Sequence, residues 1–144
     1  MLEQLNRTGV NQMFAPNAAP RRAEPVVAVL GYHGRVAGLA MHLPGGWSVR
    51  YATALDDVHA GDIVLISGAS EADVVDARAM LSSRTRVVAL LDDDAPAHLV
   101  AAVLTAGADV CVRGGQPAIL AGHLVACRRR QLTDRWVDLE ASIG

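Results

Sequence analysis

The chain has 144 residues, of which 51% are hydrophobic and only 3% aromatic, so one domain-sized core must be built mainly from aliphatic side chains. All 13 basic residues are arginine, which excludes chemistry that needs a lysine amine, and the few aromatic side chains disfavour a stacking platform for single-stranded nucleic acid. The net charge of −2 provides no overall attraction to DNA or to an anionic membrane.

The first 25 residues are interrupted by prolines and show no apolar periodicity, which predicts an arm ahead of the domain. No run of the sequence has the length and apolarity of a signal peptide or a membrane span. The two cysteines, Cys111 and Cys127, lack the spacing of metal or redox sites. We therefore expect a cytoplasmic protein with reduced thiols, no metal ion and no cofactor.

Five β-branched runs follow, separated by turn signals and by Ala/Leu-rich stretches. Four of the runs are almost wholly apolar, as strands buried on both faces must be, whereas the second alternates and is typical of an edge strand. The runs are VVAVL (26–30), WSVRYA (47–52), DIVLIS (62–67), RVVALL (86–91) and DVCVR (109–113). Strand and helix in alternation predict a doubly wound, five-stranded parallel sheet with the strand order 2-1-3-4-5.

Capping residues mark the helices that we expect between these strands. Ser70 with Asp73 predicts a capping box, and Thr53 with Asp56 predicts a similar start for a shorter helix.

The acidic run Asp92–Asp94 resembles a metal cluster, but three consecutive side chains cannot all point at one ion. Asp94 ahead of Pro96 instead predicts the cap of a helix that Gly107 ends, with the acidic run matching the helix dipole.

The last helix is predicted to begin near Gln116–Pro117 and to reach the solvated basic run Arg128–Arg130. Beyond it, apolar residues recur at intervals of four, three and four, which indicates one stripe of a helix. The stripe consists of Leu132, Trp136, Leu139 and Ile143. We expect it to continue the last helix and to pair with a second copy or lead into another domain; packing of Trp136 back onto the domain is the alternative. The predicted divisions are an arm (1–25), a domain (26–131) and a helical tail (132–144).

In an open parallel sheet, ligands bind beyond the carboxyl ends of the strands, where the strand order reverses. The candidate site residues at these ends are Tyr32, His33, Ser67, Leu91, Arg113 and Gly114.

The stretch AGADVCVRGGQPAIL (106–120) closely resembles the passage from the fourth to the fifth helix of bacterial response-regulator receiver domains, and DIVLIS resembles the family's third strand. This resemblance implies a flavodoxin-like fold, an aspartate at the end of that strand that accepts phosphate, and dimerisation through the face of helix 4, strand 5 and helix 5.

The residues that would carry the phosphorylation chemistry differ from the family pattern. Tyr32 and His33 stand where the resemblance implies magnesium-binding acids, and Ser67 stands at the phosphoacceptor position. Leu91 replaces a Thr or Ser, and Gly114, beside Arg113, replaces the lysine. We therefore expect an atypical, non-phosphorylatable receiver that is not an enzyme. It would act as a homodimer in transcription regulation, with DNA binding outside this chain.

Two alternatives stay open. In the first, an uncharged pocket around Tyr32, His33, Ser67 and Arg113 senses a small molecule. In the second, the loop with Gly31, Gly34 and Arg35 resembles the glycine loop of nucleotide-dependent reductases such as the dihydrodipicolinate reductase family. The second strand lacks the acid at its end that such a reductase would use to bind ribose.

Overall fold

The computed structural model describes the backbone of residues 24–143 and the side chains of residues 24–134. The strands are β1 (Val26–Gly31), β2 (Ser48–Tyr51), β3 (Ile63–Ser67), β4 (Arg86–Leu91) and β5 (Val110–Arg113). The helices are α1 (Glu71–Met80), α2 (Ala97–Ala106) and α3 (Pro117–Ile143).

All five strands form one parallel sheet in the order β2-β1-β3-β4-β5, which confirms the predicted fold and places the alternating run, β2, at an edge. The register aligns the strand ends, because Gly31 pairs with Ser67, Ser67 with Leu90, and Leu91 with Arg113. The carboxyl ends of β1, β3, β4 and β5 therefore form one continuous edge.

Two apolar layers cover the sheet because its strand residues alternate between the two faces. On one face Leu65 belongs to a cluster that includes Leu124 of α3. On the other face Ile66 clusters with Val74 of α1 and Val103 of α2. Each such leucine, isoleucine or valine stabilises the fold by about 1.5–3 kcal/mol when fully buried.

The crossover from β1 to β2 differs from the prediction, because two 3-10 turns, His33–Val36 and Leu39–His42, replace the expected α-helix. Gly38 lies between them at φ 81, a left-handed conformation that ends helical geometry. The turns still bury Val36 and Leu39 against the sheet. This crossover therefore lacks the helix N-terminus on which the reductase resemblance depends.

The segment after β2 also forms a 3-10 turn, Leu55–Asp57, rather than an α-helix, and the prediction of its cap was wrong by one residue. Thr53 pairs with Asp57 and not with Asp56: its hydroxyl donates to the Asp57 carboxylate at 2.7 Å and its backbone N–H donates at 3.1 Å. In this tighter turn the carboxylate of Asp57, four residues after Thr53, lies within hydrogen-bond distance of Thr53.

The capping box of α1 is confirmed. The Asp73 backbone N–H donates to the Ser70 hydroxyl at 3.1 Å, and the Ser70 backbone N–H donates to the Asp73 carboxylate at 3.0 Å.

The predicted cap of α2 was wrong, whereas the predicted end was confirmed. Pro96 is the N-cap and no side chain caps this helix, so Asp94 does not have the capping role. Gly107, at φ 124, ends the helix as predicted.

Helix α3 begins at Pro117 as predicted and continues without a break to Ile143. Arg128–Arg130 therefore lie within the helix rather than at its end, and the tail is helical. The side chains of Trp136, Leu139 and Ile143 lie outside the described side chains, and most of the predicted arm, residues 1–23, lies outside the described chain. The domain boundaries and the pairing of the stripe stay predictions. Among the residues described, none of the helices is long and apolar enough to cross a membrane.

Candidate functional site

A cleft of about 310 Å³ opens at the carboxyl edge of the sheet, between the first 3-10 turn and the loops that follow β4 and β5. We call it the Arg35 cleft. Its lining residues are Gly34, Arg35, Leu90, Asp92, Asp93, Gly114 and Gly115.

The end of β1 passes so close to β3 that only glycine fits at residue 31. Gly31 has φ 90, and a Cβ there would overlap the carbonyl oxygen of Ser67. The Tyr32 backbone N–H donates to that carbonyl at 3.3 Å. This turn leaves the Tyr32 side chain 65% exposed and places His33 against the ring of Tyr51, with centroids 4.3 Å apart. Neither Tyr32 nor His33 lines the Arg35 cleft.

Arg35 spans the cleft from the β1 side to the β4 side. Its Nη1 forms an ion pair with the Asp92 carboxylate, and its guanidinium carbon lies 5.7 Å from the centroid of the Tyr32 ring. Its Nε is buried without a hydrogen-bond partner. A Cβ on Gly68 would lie 3.9 Å from that Nε, so the guanidinium reaches the turn that follows β3.

Ser67 lies at the centre of this edge, at the end of β3. Its side chain is only 3% exposed, and its hydroxyl oxygen has no hydrogen-bond partner. Leu91, by contrast, is 2% exposed within the core that α1 and α2 cover, so it serves packing rather than the cleft.

Asp93, in the loop after β4, brings a carboxylate to Gly114, the position after β5 where the receiver resemblance implies a lysine. Gly114 has φ 94, its backbone N–H donates to the Leu91 carbonyl at 3.0 Å, and a Cβ there would overlap the Asp93 carboxylate. Arg113 turns away, donating from Nη1 to the Ala95 carbonyl at 3.0 Å. The carboxyl edge therefore brings together Ser67, Gly114, Asp92 and Asp93. The other residues predicted from sequence do not line the Arg35 cleft: Tyr32, His33, Leu91 and Arg113.

A second cleft, of about 290 Å³, lies on the α1 side of Gly31 and Ser67 and is also lined by Asp73 and Asp76. Nearby, hydrogen bonds from Thr53 and from the Ala54 backbone hold the pKa of Asp57 below its ordinary value. Across residues 24–134, no three His, Cys, Asp or Glu side chains are grouped so that they could hold a metal ion.

Sequence reasoning missed the pair of Arg35 with Asp92, because it treated Arg35 as part of a glycine loop and Asp92 as part of a helix start. The available signal was charge: Arg35 follows β1, Arg113 is the last residue of β5, and acids follow β4.

The fold and the position of this cleft define the class of doubly wound α/β proteins to which flavodoxin-like and receiver domains belong. Among solved structures, the signal receiver domain of an HD domain-containing protein from Pseudomonas fluorescens Pf-5 is similar to this chain, with a TM-score of 0.65. The similarity covers 83% of this chain and 97% of that chain at 15% sequence identity, so it concerns the fold. Comparison with models of protein families gave no match, and neither did comparison with curated proteins.

Proposed function

We propose that this chain is an atypical receiver-like module of bacterial signal transduction that does not accept phosphate. The proposal rests on the carboxyl edge of this receiver-like sheet, where β3 ends in the buried Ser67. The Asp93 carboxylate occupies the space beside Gly114.

The charges at this edge oppose phosphoryl transfer. That reaction needs a magnesium ion, usually held by one or two carboxylates, and a positive side chain to neutralise the transferring group. The residues that follow β1 are Tyr32 and His33, which offer no carboxylate, and Arg35 is already paired with Asp92. The Asp93 carboxylate would repel a phosphoryl group bound close to Gly114.

Treatment of the full chain with acetyl phosphate and magnesium, followed by intact-mass spectrometry, tests this proposal. We expect no phosphorylated species under conditions that label an ordinary receiver domain in parallel. Ser67→Asp should also stay unlabelled, because the acids after β1 and the lysine after β5 would still be missing. Labelling of the unmodified chain would contradict the proposal.

We also propose that the module dimerises through the face formed by α2, β5 and α3, with the tail stripe extending the contact. Leu104 of α2 and Ile119 of α3 leave exposed apolar surface on these two helices. Sedimentation at tens of micromolar should give a dimer, and a monomer at that concentration would overturn this part.

The proposal extends to transcription regulation through a DNA-binding domain outside these residues, because α3 continues as one helix beyond the sheet. The coding sequence that follows residue 144 tests this extension. A helix-turn-helix segment there supports it, whereas a full coding sequence without a DNA-binding segment on either side of these residues contradicts it.

A further inference from the structure

The Arg35 cleft contains polar groups of opposite character that no other residue in the described part of the chain satisfies. Its volume of about 310 Å³ lies within the range of small-molecule sites, and it occupies the edge where ligands bind to open parallel sheets.

The Arg35 side requires a hydrogen-bond acceptor. Asp92 takes Nη1, whereas Nε is buried and unpaired. A guanidinium is a planar fork of N–H donors that binds a carboxylate through charge-assisted hydrogen bonds. The hydroxyl of Ser67 is also buried and unpaired, but Ser67 lines the second cleft, on the α1 side, and not the Arg35 cleft. Burial of either group destabilises the folded state unless a ligand or a water molecule forms a hydrogen bond with it.

The Asp93 side offers an exposed carboxylate that can pair with a cation. Its carboxylate lies against Gly114 in the same cleft, and no ion pair or hydrogen bond engages it among the residues described. The side chains of the cleft thus contribute one positive charge, from Arg35, and two negative charges, from Asp92 and Asp93. A simple anion would be repelled by this balance, and a simple cation would leave Nε unpaired.

A ligand that carries both charges satisfies both sides. We propose that the Arg35 cleft binds a free amino acid, with its carboxylate on the exposed part of the Arg35 guanidinium and its ammonium group on Asp93. This proposal rests on the proposed function, since it assigns the cleft that we infer to be closed to phosphate. The amino acid would connect the β1–β2 crossover to the loops after β4 and β5, so it would stabilise the state in which these segments lie together.

Thermal unfolding of the full chain, measured with each of the twenty L-amino acids, tests the assignment. We expect at least one of them to raise Tm saturably. The amine and the carboxylic acid that correspond to that amino acid, each lacking one of its charged groups, should have no comparable effect. Arg35→Lys keeps the charge beside Asp92 but removes the fork, and Asp93→Asn removes the cation partner. Each change should weaken binding by about tenfold or more, whereas Asp94→Asn, outside the cleft lining, should leave it unchanged.

Three results would overturn the proposal: no amino acid binds, the matched carboxylic acid binds equally well, or binding is the same in Arg35→Lys and Asp93→Asn as in the unmodified chain. If Arg35→Lys does not fold, Asp93→Asn with its Asp94→Asn control still decides the question. Absence of binding together with absence of phosphorylation would refute the amino-acid site alone and leave the proposed function standing.

Discussion

At the scale of single residues, Gly114 shows how a backbone conformation holds the β5 loop in place. Its φ of 94 and the Asp93 carboxylate beside it exclude a side chain. Gly114→Ala should therefore lower the free energy of unfolding by about 1–2 kcal/mol, measured by chemical denaturation.

Gly122 provides the matched control, because it lies within α3, exposed, with open space where a Cβ would be placed. Gly122→Ala should raise the free energy of unfolding by about 0.5–1 kcal/mol, since alanine loses less backbone entropy in a helix. Equal effects of the two substitutions would contradict the conformation that we describe for Gly114.

Two serines three residues apart should respond in opposite directions to the same substitution. The Ser67 hydroxyl is buried without a partner, so Ser67→Ala should stabilise the protein by about 1 kcal/mol. Ser70 caps α1, so Ser70→Ala should destabilise it by about 1 kcal/mol. Denaturation curves of both variants check this, and a loss of stability in Ser67→Ala would show that its hydroxyl is satisfied.

Only some of the site could be predicted from sequence at this scale. The apolar runs indicate where strands end, so Ser67 and Gly114 were expected at the carboxyl edge, and the structure places them there. The outward turn of Tyr32 depends on the close approach of Gly31 to β3, and the pair of Arg35 with Asp92 joins distant parts of the chain. Neither leaves a local pattern in the sequence.

At the scale of elements, buried strands and capped helices were predictable because hydrophobic periodicity and hydrogen-bonding side chains act over a few residues. The first crossover was not, since Val36 and Leu39 fit a helical spacing equally well, and Gly38 between them decides for two 3-10 turns. The predicted cap of α2 failed because Pro96, two residues after Asp94, occupies the N-cap position.

Helix α3 contributes a titratable group to the core, and this predicts a dependence of stability on pH. Burial raises the pKa of the Cys127 thiol above its ordinary value of 9.0, although Arg130 nearby partly opposes this. As the pH rises above 9.0, the unfolded chain loses this proton first, so the folded state loses stability. Denaturation at a series of alkaline pH values should show this decline, and it should be shallower in Cys127→Ala.

Cys111 in β5 serves as the comparison, because burial also raises its pKa but it is only half-buried. Cys111→Ala should keep most of the alkaline decline. If the two variants follow the same curve, burial of Cys127 is not its cause.

At the scale of the whole molecule, carboxylates outnumber arginines at the carboxyl edge. Asp73 and Asp76 of α1 and Asp92–Asp94 after β4 lie there, beside Arg35 and Arg113. In α1 the acids of the first turn follow the helix dipole. An acidic carboxyl edge is a poor place for phosphate.

The rules that govern chain connections explain why the whole strand order could be predicted, whereas only part of the site could. Right-handed crossovers and complete burial of the central strands leave few arrangements for five parallel strands. A surface for a partner has no such restriction, since one exposed apolar side chain is compatible with many environments.

Matched substitutions of two exposed apolar residues therefore test the dimer directly. Ile119, 54% exposed, lies on the α3 side of the proposed face, whereas Met80, 59% exposed, lies on α1 outside it. Ile119→Arg should weaken dimerisation by about tenfold or more, because a symmetric interface would bring like charges together as it removes an apolar contact. Met80→Arg adds the same charge and should leave the sedimentation of the dimer unchanged. Equal weakening by both substitutions would indicate an effect of net charge, and weakening by Met80→Arg alone would move the interface to α1.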